Sequence, residues 1–238
     1  MQIKGSVALV TGANRGLGKA FVQALLEAGA VKVYAAARNP ELIERAPGVV
    51  PVRLDVTRPE DIEAVAQQAK DVTLLINNAG ISSVSFADQS PRIDVQSLRK
   101  ELEVNSIGLL QTSLAFAPIL AGNGGGALVN MHSALSWVNL PNSITYSASK
   151  AAAWSITNGL RLHLAEQGTL VVGVHVAFID TDMTSDVIGV PKSTPQAVAK
   201  RVLEGVVNDE PEVLADDVAN LVKQNLTNGV YLRPVPGA

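Results

Sequence analysis

Cysteine is absent from this chain of 238 residues, and histidine occurs only three times. The lack of thiols excludes disulfide bonds and thiolate metal sites, and it suits a reducing compartment. His132, His163 and His175 lie far apart in the sequence and lack the spacing of metal ligands. We therefore expect no bound metal.

Charged residues are also scarce, at 17% of the chain, and the net charge is −3 with a sequence pI of about 5.6. A slightly acidic chain is a poor match for nucleic-acid phosphates, so no nucleic-acid partner is expected. No apolar run is long enough to cross a membrane, and residues 1–5 lack the features of a signal peptide. The sequence predicts a soluble cytoplasmic protein, in which 47% hydrophobic residues can build a sizeable core.

Apolar runs alternate with helical patterns along most of the chain. The predicted strands are residues 7–10, 31–37, 49–54, 72–76, 127–131, 170–176 and 212–215. The predicted helices are residues 20–28, 61–69, 95–120, 146–166, 196–207 and 216–226. This alternation predicts an α/β fold with a doubly wound parallel sheet, and the lack of linkers predicts a single domain over residues 1–238. Residues 229–238 are not assigned, although residues 230–232 are candidates for an edge segment.

A glycine-rich turn, TGANRGLG at residues 11–18, separates the first strand from the first helix. Gly12, Gly16 and Gly18 allow a tight turn and close approach of the backbone to a phosphate. The helix that begins near Leu17 adds free N–H groups and a positive dipole. The spacing differs from the general dinucleotide fingerprint G-x-G-x-x-G. The strand–turn–helix context nevertheless favours a bound dinucleotide over glycines that only turn the chain.

Tyr146 and Lys150 lie four residues apart on a predicted helix and therefore share one face. A phenol has a pKa of about 10, which is too high for neutral acid–base chemistry. Because a nearby ammonium favours the phenolate, Lys150 is expected to lower the pKa of Tyr146 and to make it a general acid or base. Taken alone, the pair is equally consistent with two surface residues on a helix.

TGANRGLG, Asn77-Asn78-Ala79-Gly80, Asn105, Ser133, Tyr146 and Lys150 together resemble the short-chain dehydrogenase/reductase family. The resemblance covers nearly the whole chain and implies a Rossmann-type fold with hydride transfer at a carbonyl or alcohol. It implies that Tyr146 exchanges a proton with the substrate oxygen, which Ser133 holds. Lys150 would bind the nicotinamide ribose, and Asn105 would position a water that links Lys150 to solvent.

The same resemblance implies a set of cofactor contacts. They are Gly12, Asn14, Arg15, Gly16, Leu17, Gly18, Arg38, Asp55, Val56, Asn78, Ala79, Gly80, Tyr146, Lys150, Ile179 and Thr181. Strand two ends at Arg38 without a carboxylate to bind a free ribose 2′-hydroxyl, so NADP(H) is preferred and NAD(H) remains possible. Arg15 would add a second phosphate contact. Arg38 could instead be a solvated surface charge, and Asp55 could cap a helix rather than contact adenine.

Two segments depart from the family pattern. Val176-Ala177 replaces the usual Pro-Gly after strand six, which leaves the path of that loop open, and residues 212–217 replace a late glycine pair. Candidate pocket residues, chosen by their sequence proximity to the catalytic set, are Leu135, Val138, Leu140, Asn142, Met183 and Val187. Trp137 and Trp154 are expected to pack or to form an interface. Because Trp154 and Leu160 lie on the Tyr146 helix, which often builds interfaces in relatives, we expect a homodimer or homotetramer.

The leading hypothesis is an NADP(H)-dependent carbonyl reductase or alcohol dehydrogenase that acts on a small molecule with an apolar side. A 3-oxoacyl-carrier-protein reductase is a narrower alternative, for which the sequence shows no obvious basic docking patch. A sensor that binds NADP(H) without turnover belongs to a different class. Such a sensor has no need of Ser133, Tyr146 and Lys150 as a set.

Overall fold

The computed structural model describes residues 1–84 and 93–232. Seven parallel strands form one sheet in the order β3-β2-β1-β4-β5-β6-β7. The strands are β1 (Val7–Thr11), β2 (Lys32–Ala37), β3 (Val49–Arg53), β4 (Leu74–Asn77), β5 (Ala127–Met131), β6 (Leu170–His175) and β7 (Glu212–Leu214). The helices are α1 (Gly16–Glu27), α2 (Pro59–Gln68), α3 (Val95–Leu102), α4 (Leu109–Gly122), α5 (Ile144–His163), α6 (Pro195–Val207) and α7 (Asp217–Gln224). The predicted α/β fold with a doubly wound parallel sheet is confirmed.

Helices cover both faces of the sheet, so the strands have no polar side. In β1, Ala8 and Val10 pack in the core that α1 and α6 cover. Leu9 points the other way, into the core that α2, α4 and α5 cover. Successive strand residues point to opposite faces, and burial on both faces therefore explains the nearly continuous apolar runs in the sequence.

The order of the strands reverses beside β1. From β1 the chain winds outward to β3 and then crosses to β4 on the other side of β1. A crevice opens at such a point, outside the carboxyl ends of the strands, and it is where open α/β sheets bind ligands. The glycine turn follows β1 and residues 78–80 follow β4, so both motifs lie at this crevice.

The long helix predicted over residues 95–120 is interrupted by a π-helical segment, Glu103–Gly108, between α3 and α4. Helical periodicity does not reveal a π segment, because tertiary contacts stabilise such a segment. In this segment the hydroxyl of Ser106 donates to the carbonyl of Ser149 on α5 at 2.7 Å. Among the described residues, the continuous stretch Val95–Gly122 has the length and apolar composition of a membrane-crossing helix, and half of its most apolar window is buried in the protein. Core helices pass the same test.

The sequence leaves the C-terminal segment unassigned, and the structure describes it as far as residue 232. The residues after α7 form two short 3₁₀ turns, Leu226–Asn228 and Val230–Leu232, joined through Gly229 with a φ of 72°. Residues 230–232 therefore do not form an edge strand. The remaining tail, residues 233–238, lies outside the described residues.

Candidate active site

The glycine turn is held against the end of β4 by a small polar network. Gly12 and Gly16 have positive φ angles of 68° and 51°, which only glycine adopts without strain. The hydroxyl of Thr11 accepts hydrogen bonds from the backbone N–H of Asn78 at 3.0 Å and of Ala79 at 2.9 Å. A Cβ at Gly18 would lie 2.0 Å from the carbonyl oxygen of Gly12, so no larger residue fits there. The turn can therefore bring its backbone close to a ligand.

The first turn of α1 is suited to an anion. Arg15 occupies the N-cap position, no side chain caps the helix, and its first turn contains no acidic residue. The free N–H groups and the helix dipole both favour a phosphate at this position. Asn14, Leu17 and the glycines of the turn line the cleft in front of it.

At one end of the cleft, Arg38 and Asp55 follow β2 and β3. Arg38 is exposed and, among the described residues, forms no salt bridge, which leaves its guanidinium available. Asp55 does not cap α2, whose N-cap is Arg58. Its carboxylate instead accepts from the N–H of Thr57 at 3.0 Å and from the Thr57 hydroxyl at 2.8 Å. Burial raises the pKa of Asp55, but these bonds and the nearby Arg38 outweigh it, and the net pKa is lowered.

Arg15 has a partner that the sequence did not reveal. Its guanidinium donates to the carboxylate of Asp182 at 2.7 Å, and both side chains are largely exposed. Asp182 belongs to the loop after β6, so this ion pair connects the glycine turn to the opposite wall of the cleft. The same loop packs closely on the turn, since a Cβ at Gly16 would lie 3.2 Å from the Thr181 side chain.

The predicted catalytic residues meet at the other end of the cleft, where Ser133 follows β5 and Tyr146 and Lys150 project from α5. Lys150 is buried, and its Nζ donates to the carbonyl of Met131 at 2.9 Å. Burial lowers the pKa of Lys150 to about 8. The hydroxyl of Ser133 accepts from the N–H of Leu135 at 3.1 Å and is also within hydrogen-bonding reach of the Tyr146 phenol.

The predicted effect of Lys150 on Tyr146 is wrong for this arrangement. Desolvation raises the pKa of Tyr146, the carboxylate of Glu101 raises it further, and the bond with Ser133 only partly offsets both. The Nζ of Lys150 lies 5.8 Å from the centroid of the Tyr146 ring and donates to the carbonyl of Met131, and it does not offset the desolvation of the phenol. Tyr146 is therefore protonated at neutral pH and is a weaker acid than an ordinary phenol.

Asn105 is buried behind the cleft in the π-helical segment. Its amide nitrogen donates to the carbonyl of Ile81 and to the hydroxyl of Ser149, each at 2.9 Å, and its oxygen accepts from the N–H of Ile81 at 2.8 Å. A Cβ at Gly80 would lie 3.2 Å from this oxygen and 3.7 Å from the Nζ of Lys150. Asn105 and Lys150 therefore face the same space beside Gly80, which only a glycine leaves open.

Contacts between the two segments that depart from the family pattern, Val176-Ala177 and residues 212–217, fix the path of the loop after β6. The N–H of Ala177 donates to the carboxylate of Asp216 at 2.6 Å, and the other oxygen of Asp216 caps α7 through the N–H of Ala219 at 2.7 Å. Asp216 thus fixes the start of the loop. Ile179 and Thr181, farther along it, line the cleft as the sequence predicted.

The pocket predictions are partly wrong. Leu135 and Met183 line the cleft, whereas Val138, Leu140 and Val187 are buried elsewhere and do not. Sequence proximity fails here because the chain turns inward after residue 136 and packs Val138 with Trp137 and Val222 in a separate apolar cluster. Cleft residues that the sequence analysis missed include Ile81, Ser82, Val104, Phe178 and Thr184. Ile81 and Ser82 directly follow the Asn-Asn-Ala-Gly motif, which was an available signal.

Of the predicted catalytic and cofactor-contacting residues, all but Asn105 line this one cleft. They come from the ends of six strands and from α1 and α5, so the fold brings together residues that are distant in sequence. The arrangement places an anion site and an exposed arginine at one end. A phenol, a hydroxyl and a buried ammonium lie at the other end.

The chain resembles known proteins over most of its length. Residues 6–189 match the short chain dehydrogenase family profile. A crystal structure of a short chain dehydrogenase from Burkholderia cenocepacia J2315 in complex with NADP shares 41% identity, covers 98% of this chain and 100% of that chain, and gives a TM-score of 0.91. The 3-oxoacyl-(acyl-carrier-protein) reductase FabG of Vibrio cholerae is 32% identical over 77% of this chain and 78% of its own. The 11-beta-hydroxysteroid dehydrogenase A of Sesamum indicum is 32% identical over 76% of this chain, which spans 55% of that protein.

Proposed function

Because the chain belongs to the short-chain dehydrogenase/reductase family of oxidoreductases, we propose that it interconverts a ketone or aldehyde and the corresponding alcohol with NADP(H) as cofactor. The observation that carries this proposal is the position of Ser133, Tyr146 and Lys150 at one end of a cleft whose other end is an anion site. A binding protein without catalysis has no need of a buried ammonium and a phenol together at such a cleft.

The residues along the cleft fit an NADP(H) molecule. The open space beside Gly80 and the uncapped N-terminus of α1 are the features that favour this fit. When bound, the nicotinamide supplies or accepts the hydride. Lys150 would hold the nicotinamide ribose, and Ile179 and Thr181 would hold the carboxamide. Adenosine and phosphate contacts would come from Gly12, Asn14, Gly16, Leu17, Gly18, Arg38, Asp55, Val56, Asn78 and Ala79.

Each catalytic side chain has a role that its surroundings support. Tyr146 would donate its proton to the carbonyl oxygen in reduction, because the phenol holds a proton at neutral pH and lies in the cleft beside Ser133. Ser133 would donate a second hydrogen bond to the same oxygen as negative charge develops there. Asn105 would hold a water in the space that it shares with Lys150. This water would replace the proton that Tyr146 gives to the substrate.

The exposed Arg38 predicts the preferred cofactor. Replacement of Arg38 by alanine should weaken NADPH binding by about 10- to 100-fold, the expected loss for a charge-assisted bond to the 2′-phosphate. NADH affinity should not change, because NADH lacks that phosphate. Titration of cofactor fluorescence measures both dissociation constants. Equal affinities for the two cofactors that Arg38→Ala leaves unchanged would contradict the NADP(H) preference.

The ion pair between Arg15 and Asp182 gives a second expectation for cofactor binding. Arg15 cannot bind Asp182 and a 2′-phosphate equally well, so Asp182→Asn should release it and tighten NADPH binding about two- to fivefold, as an exposed pair permits. NADH binding should stay constant in the same titration. An equal gain for both cofactors would show that Asp182 acts on the shared pyrophosphate and that Arg15 does not contact the 2′-phosphate.

Three large apolar side chains, Leu135, Phe178 and Met183, line the cleft. We therefore propose a ketone or aldehyde with an apolar side. The direct test follows NADPH oxidation against a panel of ketones, aldehydes and diketones. Turnover would support the proposal, whereas tight NADPH binding with no turnover across the panel would favour a sensor.

The relation to the Vibrio cholerae enzyme favours a second candidate, a 3-oxoacyl-carrier-protein reductase. Such an enzyme must dock an acidic carrier protein. The test compares the reduction of an acetoacetyl thioester on the carrier with that of the same thioester on a small thiol. The two rates should differ only if this candidate is correct. Equal rates would favour the small-molecule carbonyl reductase.

We also propose that the protein is a cytoplasmic homodimer or homotetramer with α5 at the interface. Leu160 does not contribute as predicted, because it is buried in the core. The exposed large apolar residues of α5 are Ile144 and Leu162, with 43% and 81% of their surfaces accessible. Sedimentation analysis of the wild type and Leu162→Glu would test this arrangement.

A further inference from the structure

A fully buried histidine lies directly behind Ser133. The Nδ1 atom of His175, the last residue of β6, is 3.1 Å from the backbone carbonyl oxygen of Ser133. A carbonyl can only accept, so Nδ1 must carry the hydrogen. Burial lowers the pKa of His175 to about 3, so the ring is neutral at physiological pH and its other nitrogen, Nε2, is unprotonated. This assignment fixes the tautomer, with Nδ1 as the donor to Ser133.

The ring of His175 is held by a stack of side chains from three other elements. Trp137 lies parallel to it, with ring centroids 3.7 Å apart and an interplanar angle of 16°. The Nζ of Lys223, on α7, lies 4.9 Å from the centroid of the Trp137 ring, within cation–π distance. Glu212 of β7 in turn accepts from Lys223 at 2.9 Å. We call His175, Trp137, Lys223 and Glu212 the His175 stack.

The stack connects the sheet edge and α7 to the backbone of a catalytic residue. The backbone around Ser133 has other support as well. Its carbonyl also accepts from the N–H of Ser136 at 2.9 Å, and the N–H groups of His132 and Ala134 donate to the carbonyls of Val174 and Val176 at 2.7 Å and 2.9 Å. The bond from His175 is the one contact from the neighbouring strand to the Ser133 carbonyl among the described hydrogen bonds. It therefore adds a side-chain restraint to the Ser133 peptide, beside the backbone bonds that hold this segment, and so helps to fix the orientation of the hydroxyl.

We propose that His175 is a positioning residue that orients Ser133 toward the substrate oxygen, and that Trp137 and Lys223 hold it in place. The proposal rests on the carbonyl reduction proposed above. A misplacement of about 1 Å can cost up to about 100-fold in rate, so loss of this bond should be measurable in turnover. Cofactor affinity should not change, since His175 does not line the cleft.

A double-mutant cycle tests the proposal. His175→Leu removes the donor at similar volume and should lower kcat/KM for a reducible carbonyl by about 10- to 100-fold, with the NADPH dissociation constant unchanged. In a Ser133→Ala background the same change should cost less than about twofold, because no hydroxyl remains to be oriented. His175→Asn, whose amide nitrogen can replace Nδ1 as a donor, should restore most of the rate.

Lys223→Met provides a variant that leaves the core intact, since Lys223 is partly exposed. It should lower kcat/KM severalfold in the wild-type background only, and it should change the fluorescence of the protein, which has two tryptophans. This series decides the question if His175→Leu does not fold. Equal losses of kcat/KM in the wild-type and Ser133→Ala backgrounds would overturn the positioning role of His175 but not the proposed function. Absence of turnover in the wild type would overturn the proposed function and this inference with it.

Discussion

Replacement of Tyr146 by phenylalanine is expected to lower carbonyl reduction by about 10²- to 10⁴-fold, which is the usual contribution of a general acid. Phenylalanine keeps the ring but removes the hydroxyl that lies within hydrogen-bonding reach of Ser133 at this end of the cleft. The phenol is protonated at neutral pH because desolvation and the Glu101 carboxylate raise its pKa. Removal of the hydroxyl therefore removes the proton that reduction needs. NADPH affinity should change little, since the anion site and Arg38 are at the other end.

A matched control is available in the same protein. Tyr34 on β2 donates to the carboxylate of Asp71 at 3.0 Å, away from the cleft, so Tyr34→Phe deletes an equivalent hydroxyl without touching the site. It should leave turnover within about twofold of the wild type, as expected for a substitution away from special features. Steady-state rates with NADPH and direct cofactor titration should be measured for both variants. Substantial turnover by Tyr146→Phe would remove Tyr146 from the acid role.

The sheet could be predicted from the sequence because burial on both faces imposes a simple pattern. Strands β1, β4 and β5 consist almost entirely of apolar residues, and each is followed by a motif of glycine, asparagine or serine. Parallel strands place their carboxyl ends together, so these motifs had to meet at one edge of the sheet. That the whole chain, residues 1–238, forms one domain stays a prediction.

Other features depend on tertiary contacts that no local pattern records. The π-helical turn at Asn105 forms where α3 and α4 meet α5, and an apolar periodicity cannot distinguish it from an α-helix. The predicted pKa direction of Tyr146 was wrong because the sequence shows the spacing of Tyr146 and Lys150 but neither the burial of the phenol nor the nearby Glu101 carboxylate. Likewise, His175 and Ser133 are 42 residues apart, and only the pairing of β5 with β6 brings them together.

Lys150→Met is expected to make the protein more stable and less active at the same time. Burial lowers the pKa of Lys150 from 10.5 to about 8, so at pH 7 the folded protein holds a desolvated ammonium. A shift of this size corresponds to roughly 3 kcal/mol, which is an upper limit for the gain when methionine replaces the charge. The carbonyl of Met131 loses its donor, which costs about 1 kcal/mol of that gain.

The pH dependence of this effect has a defined sign. Between pH 8 and pH 10.5, the unfolded wild type binds more protons than the folded protein, so wild-type stability should rise with pH in that window. Lys150→Met lacks this rise. Its advantage in unfolding free energy over the wild type should therefore be largest below pH 8 and should shrink toward pH 10. Urea unfolding of both proteins at pH 7 and pH 10 measures the difference. An advantage that does not change with pH would mean that the buried charge is not its cause.

The activity of Lys150→Met should move in the opposite direction. A charged donor to the nicotinamide ribose contributes about 1.5–3 kcal/mol, so NADPH binding should weaken by about 10- to 100-fold and turnover should fall with it. Lys192→Met is a suitable control, because Lys192 also donates to a backbone carbonyl, that of Thr184 at 2.7 Å, but is only partly buried. It should gain no stability at pH 7. Unchanged cofactor affinity and rate in Lys150→Met would exclude the ribose-binding role, whereas weaker binding in a more stable protein would show that the buried ammonium is retained for function at a cost in stability.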